Sequence, residues 1–356
     1  MEDKITLYPS NWLYNAGVVG LLKVLENIKD VKYEIKDGYI EIHKKELDVE
    51  KIFEKWDELT KIKLNISYKG KKRGTKDYYY ANQTEKSIKE KIKSLLENDK
   101  KEGVKRGGFN IFCSICGASE IVNKTKLKEK KLTQAYGDIL FASAKTFPNS
   151  YWMLNPREII CSKCEFILMC HHIPFINLEG GNKNEKIEIF MNAPSFTLII
   201  DLNSFAENIL TKSKEYEVRK ILGSSLLQWA IKRRTLLGAW TMMNIEVIVK
   251  KGDIINYFDL PPDITKILLD YEIASLIEEI NEEKIFDLIL AGKFSELEKA
   301  NYFVLRAILK LKKNEKELKN DPITKYFTNY DDLKYLRRVS QILPKLYVKI
   351  LEKIGR

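Results

Sequence analysis

Two cysteine pairs, Cys113-Ser-Ile-Cys116 and Cys161-Ser-Lys-Cys164, are the most informative feature of this 356-residue chain. Each pair can place two thiolates within one tight turn, which is the spacing of a zinc knuckle. One knuckle supplies two ligands, so the second is expected to complete a tetrahedral, closed and structural Zn²⁺ site. The 44 residues between the pairs exceed the spacing of a minimal zinc ribbon, which indicates an inserted subdomain.

Disulfide bonds and a thioredoxin-like redox motif are the alternative interpretations of the two pairs. The chain begins Met1-Glu-Asp-Lys4 and lacks the early apolar segment of a secretory signal. A cytoplasmic location with reduced thiols is therefore expected, which disfavours disulfides. Two paired motifs, neither in a clear strand-to-helix context, disfavour the redox motif.

Three more potential ligands, Cys170, His171 and His172, follow the second pair. They could replace or supplement one of the four cysteines. Cys170 ends the apolar run that begins at Phe166, so the favoured interpretation is a small core residue. The four better-spaced thiolates would then hold the metal.

The net charge of +11 is concentrated in one quarter of the chain. Residues 61–135 contain 20 Lys or Arg against 8 Asp or Glu, a net charge of +12, so the remaining residues sum to about −1. A concentrated positive field suits a polyanion, most simply a nucleic acid backbone; a solvated lysine-rich face is the alternative. No apolar run is long enough to span a bilayer, so no membrane partner is expected.

The amino-terminal part has the pattern of a compact α+β domain. Apolar residues recur at helical intervals from Trp12 to Leu25, which predicts a buried helix with Ser10 as its candidate N-cap. Two alternating stretches, 31–36 and 39–43, flank Asp37-Gly38 and predict a hairpin. Further helices are predicted from Asp48, with Ile52, Phe53, Trp56 and Leu59 inward, and over about 84–98.

The later part of the chain is predicted to be mostly helical. Ile187–Phe190 and Phe196–Asp201 are expected to be strands, Ile221–Met243 one long helix, and Asn256–Leu260 a linker. More helices are expected after three candidate N-caps, Asp263, Ser295 and Asp331.

The predicted fold class is α+β, with an inserted zinc-knuckle subdomain and a mostly α-helical carboxy-terminal bundle. The predicted domains are 1–108, an α+β domain with basic loops; 109–204, a zinc-binding and strand region; and 205–356, a helical domain.

Motifs for catalysis are missing from the sequence. Neither basic glycine loop matches the phosphate-binding P-loop, no H-E-x-x-H motif occurs among the three histidines, and no nucleophile elbow is present. The chain is therefore predicted to bind rather than to catalyse. An alternative is an enzyme with an open metal site at Cys164, Cys170 and His171.

The order of motifs resembles a known protein family. The opening block Tyr8-Pro-Ser-Asn-Trp-Leu-Tyr-Asn-Ala-Gly-Val-Val-Gly-Leu-Leu-Lys-Val-Leu-Glu26, the two Cys-x-x-Cys pairs and the helical tail are similar to the CXXC–CXXC type of CRISPR-associated large subunit, which belongs to type I-B and related Cascade complexes of antiviral defence.

The resemblance implies a non-catalytic subunit of an RNA-guided surveillance complex. Such a subunit recognises the protospacer-adjacent motif (PAM) of the target double-stranded DNA, while the guide RNA (crRNA) recognises sequence by base pairing. It contacts the 5′ end of the guide and the Cascade backbone and small subunits, and it helps recruit the helicase–nuclease effector. The alternative is a stand-alone zinc-stabilised DNA- or RNA-binding protein.

Candidate nucleic-acid-binding residues follow from chemistry, because the resemblance matches no base-reading positions. Cations on two glycine-containing loops would bind phosphates or enter a groove. Asparagines on a third loop could contact base edges. An ordinary exposed turn is the equally expected alternative for the third loop. The candidates are Lys71, Lys72, Arg73, Lys105, Arg106, Asn182, Lys183 and Asn184.

Overall fold

The structure is a computed structural model that forms two compact units. The first unit comprises Met1–Ile200 and Ile248–Tyr257, and the second comprises Asp201–Val247 and Phe258–Arg356. The three predicted domains, 1–108, 109–204 and 205–356, stay a prediction. The structure describes residues 4–36, 38–45, 47–64, 85–96, 109–122, 159–178, 187–210, 217–235, 237–251, 254–312 and 318–355.

The first unit mixes helices with three small sheets, which confirms the α+β class. One sheet has the order β1-β3-β2, the second is the hairpin β4-β5, and the third has the order β6-β7-β8-β9. The strands are β1 (Lys4–Leu7), β2 (Tyr33–Ile35), β3 (Ile40–His43), β4 (Phe109–Phe112), β5 (Ser119–Val122), β6 (Ile176–Leu178), β7 (Ile187–Asn192), β8 (Glu246–Lys251) and β9 (Ile254–Phe258). The helices are α1 (Trp12–Glu26), α2 (Val49–Leu64), α3 (Glu85–Leu96) and α4 (Ser162–Met169).

The predicted hairpin and the first three predicted helices are confirmed. β2 and β3 pair antiparallel, with Tyr33 opposite Ile42. Helix α1 is buried on nearly every side, since only Lys23 and Glu26 of its residues are not buried. The predicted N-cap Ser10 is wrong by one residue: the Asn11 side chain accepts the helix-starting hydrogen bond from Tyr14 N.

Helix α1 crosses α4 at very short range because two glycines face the later helix. A Cβ added at Gly17 would lie 2.9 Å from the carbonyl carbon of Ile167, and one added at Gly20 would lie 2.8 Å from that of Cys170. No side chain larger than hydrogen fits there without a shift of backbone. The glycines of the opening block are therefore a packing requirement of this crossing.

The later part of the chain is mainly helical and corrects three predictions. The run Phe196–Asp201 is not a strand but the start of α5 (Phe196–Leu210). Leu198 N donates to Ser195 Oγ, which caps the start of this helix. The prediction was wrong because a short apolar run fits a buried helix as well as a strand. The predicted long helix Ile221–Met243 is two helices, α6 (Val218–Arg233) and α7 (Ala239–Met243). The predicted linker Asn256–Leu260 overlaps strand β9.

The break after α6 occurs at Arg234, whose φ of 51° is left-handed and ends the helical hydrogen-bond ladder. Glycine usually marks such an end, so the sequence pattern gave no warning of it.

The three helices predicted near Asp263, Ser295 and Asp331 are present and form the carboxy-terminal helical region, but none of the three residues is the N-cap. Asp263 lies inside its helix, whose N-cap is Pro261, and Ser295 is the second residue of the helix that begins at Phe294. In the last of them the N-cap is Asp332 rather than Asp331. None of the helices in the described ranges is long and apolar enough to cross a membrane. These helices are α8 (Pro262–Leu268), α9 (Tyr271–Ile280), α10 (Glu283–Leu290), α11 (Phe294–Lys312) and α12 (Leu333–Ile354), with a 3₁₀ turn at Pro322–Lys325.

Replacing Gly20 with alanine is expected to destabilise the protein by about 2 kcal/mol or more, because the new methyl group meets the Cys170 backbone. This outweighs the gain in helix propensity, about 1 kcal/mol. Chemical denaturation followed by circular dichroism measures the change. The matched control is Gly38→Ala, where an added Cβ meets nothing within 4 Å. Equal midpoints for the two variants would contradict the close crossing.

Candidate metal centre

The first cysteine pair lies in the turn that joins β4 to β5. Cys113 N donates to Ala118 O at 2.9 Å, and Gly117 N donates to Cys113 O at 2.9 Å, which closes the turn. Gly117 has a φ of 71°, a conformation that side chains other than glycine rarely adopt. Ile115 N points at Cys113 Sγ at 3.4 Å. The backbone thus wraps around the sulfur atoms, as a metal knuckle requires.

The second pair lies at the amino terminus of α4. Cys161 is the N-cap of this helix, and Cys164 falls in its first turn. Unpaired N–H groups and the helix dipole make this end of a helix favourable for negative charge, including thiolate charge. Two hydrogen bonds join the pairs: Ser114 N donates to Ile159 O at 2.9 Å, and Ile159 N donates to Ser114 Oγ at 3.3 Å.

The four sulfur atoms lie together and could hold one metal ion. The Sγ atoms of Cys113, Cys116, Cys161 and Cys164 are all within 4.8 Å of one another. The Cys116 and Cys161 sulfurs are 3.7 Å apart, close to the edge of about 3.8 Å that a tetrahedron with metal–sulfur bonds of about 2.3 Å would have. All five cysteines are free, so the disulfide interpretation does not describe this structure.

The electrostatics of the four thiols favour binding of a cation. A hydrogen bond from the neighbouring Cys116 thiol lowers the pKa of Cys113, whereas the hydrogen bonds that Cys161 and Cys164 make to Cys113 raise their pKa values. Four neighbouring thiols cannot all ionise unless a positive charge offsets the repulsion between the resulting thiolates. A bound metal ion supplies that charge, and the four sulfurs would then be its ligands.

Helix α1 packs against the metal site through its first turn. The buried ring of Tyr14 lies close to the cluster, since burial and then the nearby charges of the four cysteines, Cys164 first, raise the pKa of Tyr14. The Ser10 hydroxyl donates to the carbonyl of Ile115, inside the first knuckle. The opening block and the knuckles therefore form one packed assembly.

Two asparagines that sequence analysis missed hold the start of α1. Asn15 Nδ2 donates to Asn192 Oδ1 at 2.9 Å, and Asn15 Oδ1 accepts from Ser10 N at 2.8 Å. Asn15 is 1% exposed and so needs such partners. A polar residue inside an otherwise apolar helix was the available signal, but its partner lies 177 residues later.

Cys170, His171 and His172 lie outside the metal cluster, as the favoured interpretation predicts. The Cys170 thiol is fully buried and donates to Phe166 O at 3.4 Å. His171 Nδ1 donates to Leu168 O at 2.9 Å, and burial, followed by the charge of Lys250, lowers the pKa of His171 to about 3. Among the described residues the four cysteines are the one group of three or more side chains placed to share a metal. The structure therefore does not assemble the open site at Cys164, Cys170 and His171.

The predicted nucleic-acid-binding residues all lie outside the described residues, so their roles stay predictions. They are Lys71, Lys72, Arg73, Lys105, Arg106, Asn182, Lys183 and Asn184.

A comparison of the chain with protein-family models finds no match, and a search of curated proteins finds none either. The metal centre and the distribution of charge are therefore the observations from which a function can be inferred.

Replacing Cys113 with serine is expected to abolish binding of the metal and to lower the melting temperature. Three sulfurs cannot complete the tetrahedral site, and structural zinc contributes about 10 kcal/mol or more in small zinc domains. Elemental analysis of the purified protein should give about one metal ion per wild-type chain. Cys170→Ala is the control, because this buried thiol is not a ligand. Full metal content in Cys113→Ser would contradict the four-sulfur site.

Proposed function

We propose that this chain is the non-catalytic large subunit of a CRISPR type I RNA-guided surveillance complex, in which a structural Zn²⁺ is held by the four cysteines. The observation that carries the proposal is the assembly of both Cys-x-x-Cys pairs with the first turn of α1. The opening block and the two pairs are the specific parts of the resemblance to the CXXC–CXXC large subunits. Their direct contact in space supports treating them as one functional feature.

The first knuckle of the metal centre lies in the most basic part of the sequence. Residues 61–135 carry a net charge of +12 and include the first knuckle. The two basic glycine loops of the sequence fall within 65–84 and 97–108, between the ends of α2, α3 and β4. Strand β4 leads directly into Cys113, so the metal would fix the end of the second loop.

Helices α2 and α3, which flank these segments in the sequence, contact α4. Trp56 Nε1 of α2 donates to Met169 O of α4 at 3.2 Å. Lys91 of α3 lies 3.5 Å from Glu165 of α4, and both side chains are mostly shielded from water. Because Cys161 and Cys164 lie at the start of α4, the elements that flank the two basic segments in the sequence are joined to α4 by direct contact or through the four-sulfur cluster. This arrangement supports a nucleic-acid-binding role for them.

In this proposal the subunit recognises the protospacer-adjacent motif of double-stranded target DNA and contacts the 5′ end of the guide RNA. Cascade backbone and small subunits surround it in the cytoplasm, and it helps recruit the helicase–nuclease effector. The cations would bind phosphates, and the Zn²⁺ would brace the fold without taking part in chemistry.

Affinity purification of the tagged full chain from its native host tests the assembly. Repeat-derived guide RNA, backbone subunits and about one Zn²⁺ per chain are expected to copurify. An untagged culture carried through the same steps is the control. Zinc without guide RNA or backbone partners would overturn the proposal and favour the stand-alone zinc-stabilised nucleic acid binder.

Replacing Lys71, Lys72 and Arg73 with alanine should weaken DNA binding and flatten its dependence on salt. The slope of log K against log salt is expected to fall by about 0.9 for each duplex phosphate that the variant no longer neutralises. Fluorescence anisotropy over a salt series measures this slope.

The matched control removes three exposed cations of the first unit that lie outside the basic segment, Lys29, Lys32 and Lys51. If both triple variants keep the wild-type slope, the first basic loop is not part of the interface.

A further inference from the structure

The carboxy-terminal helix α12 carries a row of exposed cations, here called the basic face, that sequence analysis did not single out. It consists of Lys334, Arg337, Arg338 and Lys345, all exposed to solvent. Exposed Gln341 lies between them. The helix as a whole contains six cations and one carboxylate.

The sequence spacing places the cations of the basic face on one side of α12. At 3.6 residues per turn, the four cations and Gln341 fall within an arc of about 100°, and Lys334 and Lys345 are about 16 Å apart along the axis. The opposite side of the helix is apolar and is buried in the second unit. Its buried residues are Leu336, Val339, Ile342, Leu343, Leu346 and Ile350.

The basic face differs from the other two cations of the same helix in having no ion-pair partner. Lys349 pairs with Glu272, and Lys353 Nζ lies 2.6 Å from Asp270 Oδ2. Within the described ranges the structure records no salt bridge for any of the four cations of the basic face. Arg338 has one stacking contact, with its guanidinium 5.7 Å from the ring centre of Tyr335.

The position of the basic face does not stabilise the helix. Lys334 lies in the first turn, where the helix dipole disfavours positive charge, and Lys334 and Arg338 repel each other at the i,i+4 spacing. The nearest carboxylate in sequence, Asp332, is used as the N-cap and accepts from Lys334 N at 2.8 Å. Electrostatics within the helix therefore favours neutral or acidic residues at the start of α12, and a polyanionic ligand is the explanation of the cations that the experiment below sets against an ordinary solvated face.

We infer that the basic face of α12 binds the phosphate backbone of a nucleic acid. One strand of a duplex presents about five phosphates over a length of about 16 Å, enough to pair with all four cations. Arginine and lysine are the usual donors to phosphate, and the Gln341 amide can add a further one. Backbone contacts of this kind need no base sequence, so the inference does not rest on the proposed function.

A membrane surface fits the basic face less well than a nucleic acid does. Helices that lie on membranes bury an apolar side in the lipid, but the apolar side of α12 is already packed inside the protein. An acidic protein is the other polyanion, and the experiment distinguishes it.

The test replaces Arg337 and Arg338 with glutamine in the full-length chain and compares this variant with Lys349→Gln/Lys353→Gln. Both double variants remove two positive charges from the same helix, but the second removes cations that are already paired. Binding to a labelled duplex of mixed sequence is followed by anisotropy over a salt series. The Arg337/Arg338 variant is expected to lower the salt slope by about 1 to 2, and the Lys349/Lys353 variant to leave it unchanged.

A quadruple variant, with Lys334, Arg337, Arg338 and Lys345 all changed to glutamine, controls for folding and for the type of partner. It should melt at or above the wild-type temperature, because like-charge repulsion is removed, and should bind the duplex at least about tenfold more weakly. An equal decrease of slope in both double variants, or an unchanged affinity in the quadruple variant, would overturn the inference. A quadruple variant that loses binding only to poly-glutamate or to phosphatidylserine vesicles would overturn it as well.

Discussion

Mutual repulsion among four closely spaced sulfur atoms is the constraint on which the first unit depends. The β4–β5 turn and the amino terminus of α4 bring Cys113, Cys116, Cys161 and Cys164 within one coordination sphere. Such a cluster is poorly stable while its thiols must share protons, and it becomes a strong link once a cation offsets the charge of four thiolates. The same link ties a hairpin to a helix that lies deep in the core.

Helix α1 and the residues before it connect the four-sulfur cluster to other elements of the first unit. Gly17 and Gly20 let its backbone approach the end of α4, while Ser10 contacts the first knuckle and Asn15 reaches Asn192 on β7. The residues of the opening block therefore have a structural role in packing α1 against α4, the first knuckle and β7. A block with these combined requirements tolerates few substitutions, and so it can serve as a recognisable feature of a sequence.

Short sequence motifs correctly predicted the features that depend only on neighbouring residues. The cysteine spacing anticipated the knuckles, and Asp37-Gly38 between alternating stretches anticipated the β2–β3 hairpin. Prediction failed where the deciding contacts are distant: Phe196–Asp201 has an apolar run that suits a strand or a buried helix, and Arg234 ends α6 without a glycine. The basic face was missed because the net charge was summed over all residues outside 61–135. Acidic residues elsewhere bring that sum to about −1.

The hydrogen bonds between Ser114 and Ile159 and the four sulfurs together join two parts of the chain that are separated by 44 residues in the sequence. The entropy lost on closing a flexible loop grows only with the logarithm of its length, so a loop of twice this length would cost about 0.6 kcal/mol more. The stability of the core therefore depends only weakly on the length of the segment between the two cysteine pairs. The length of this segment can therefore change at little cost to the four-sulfur cluster and to the elements around it.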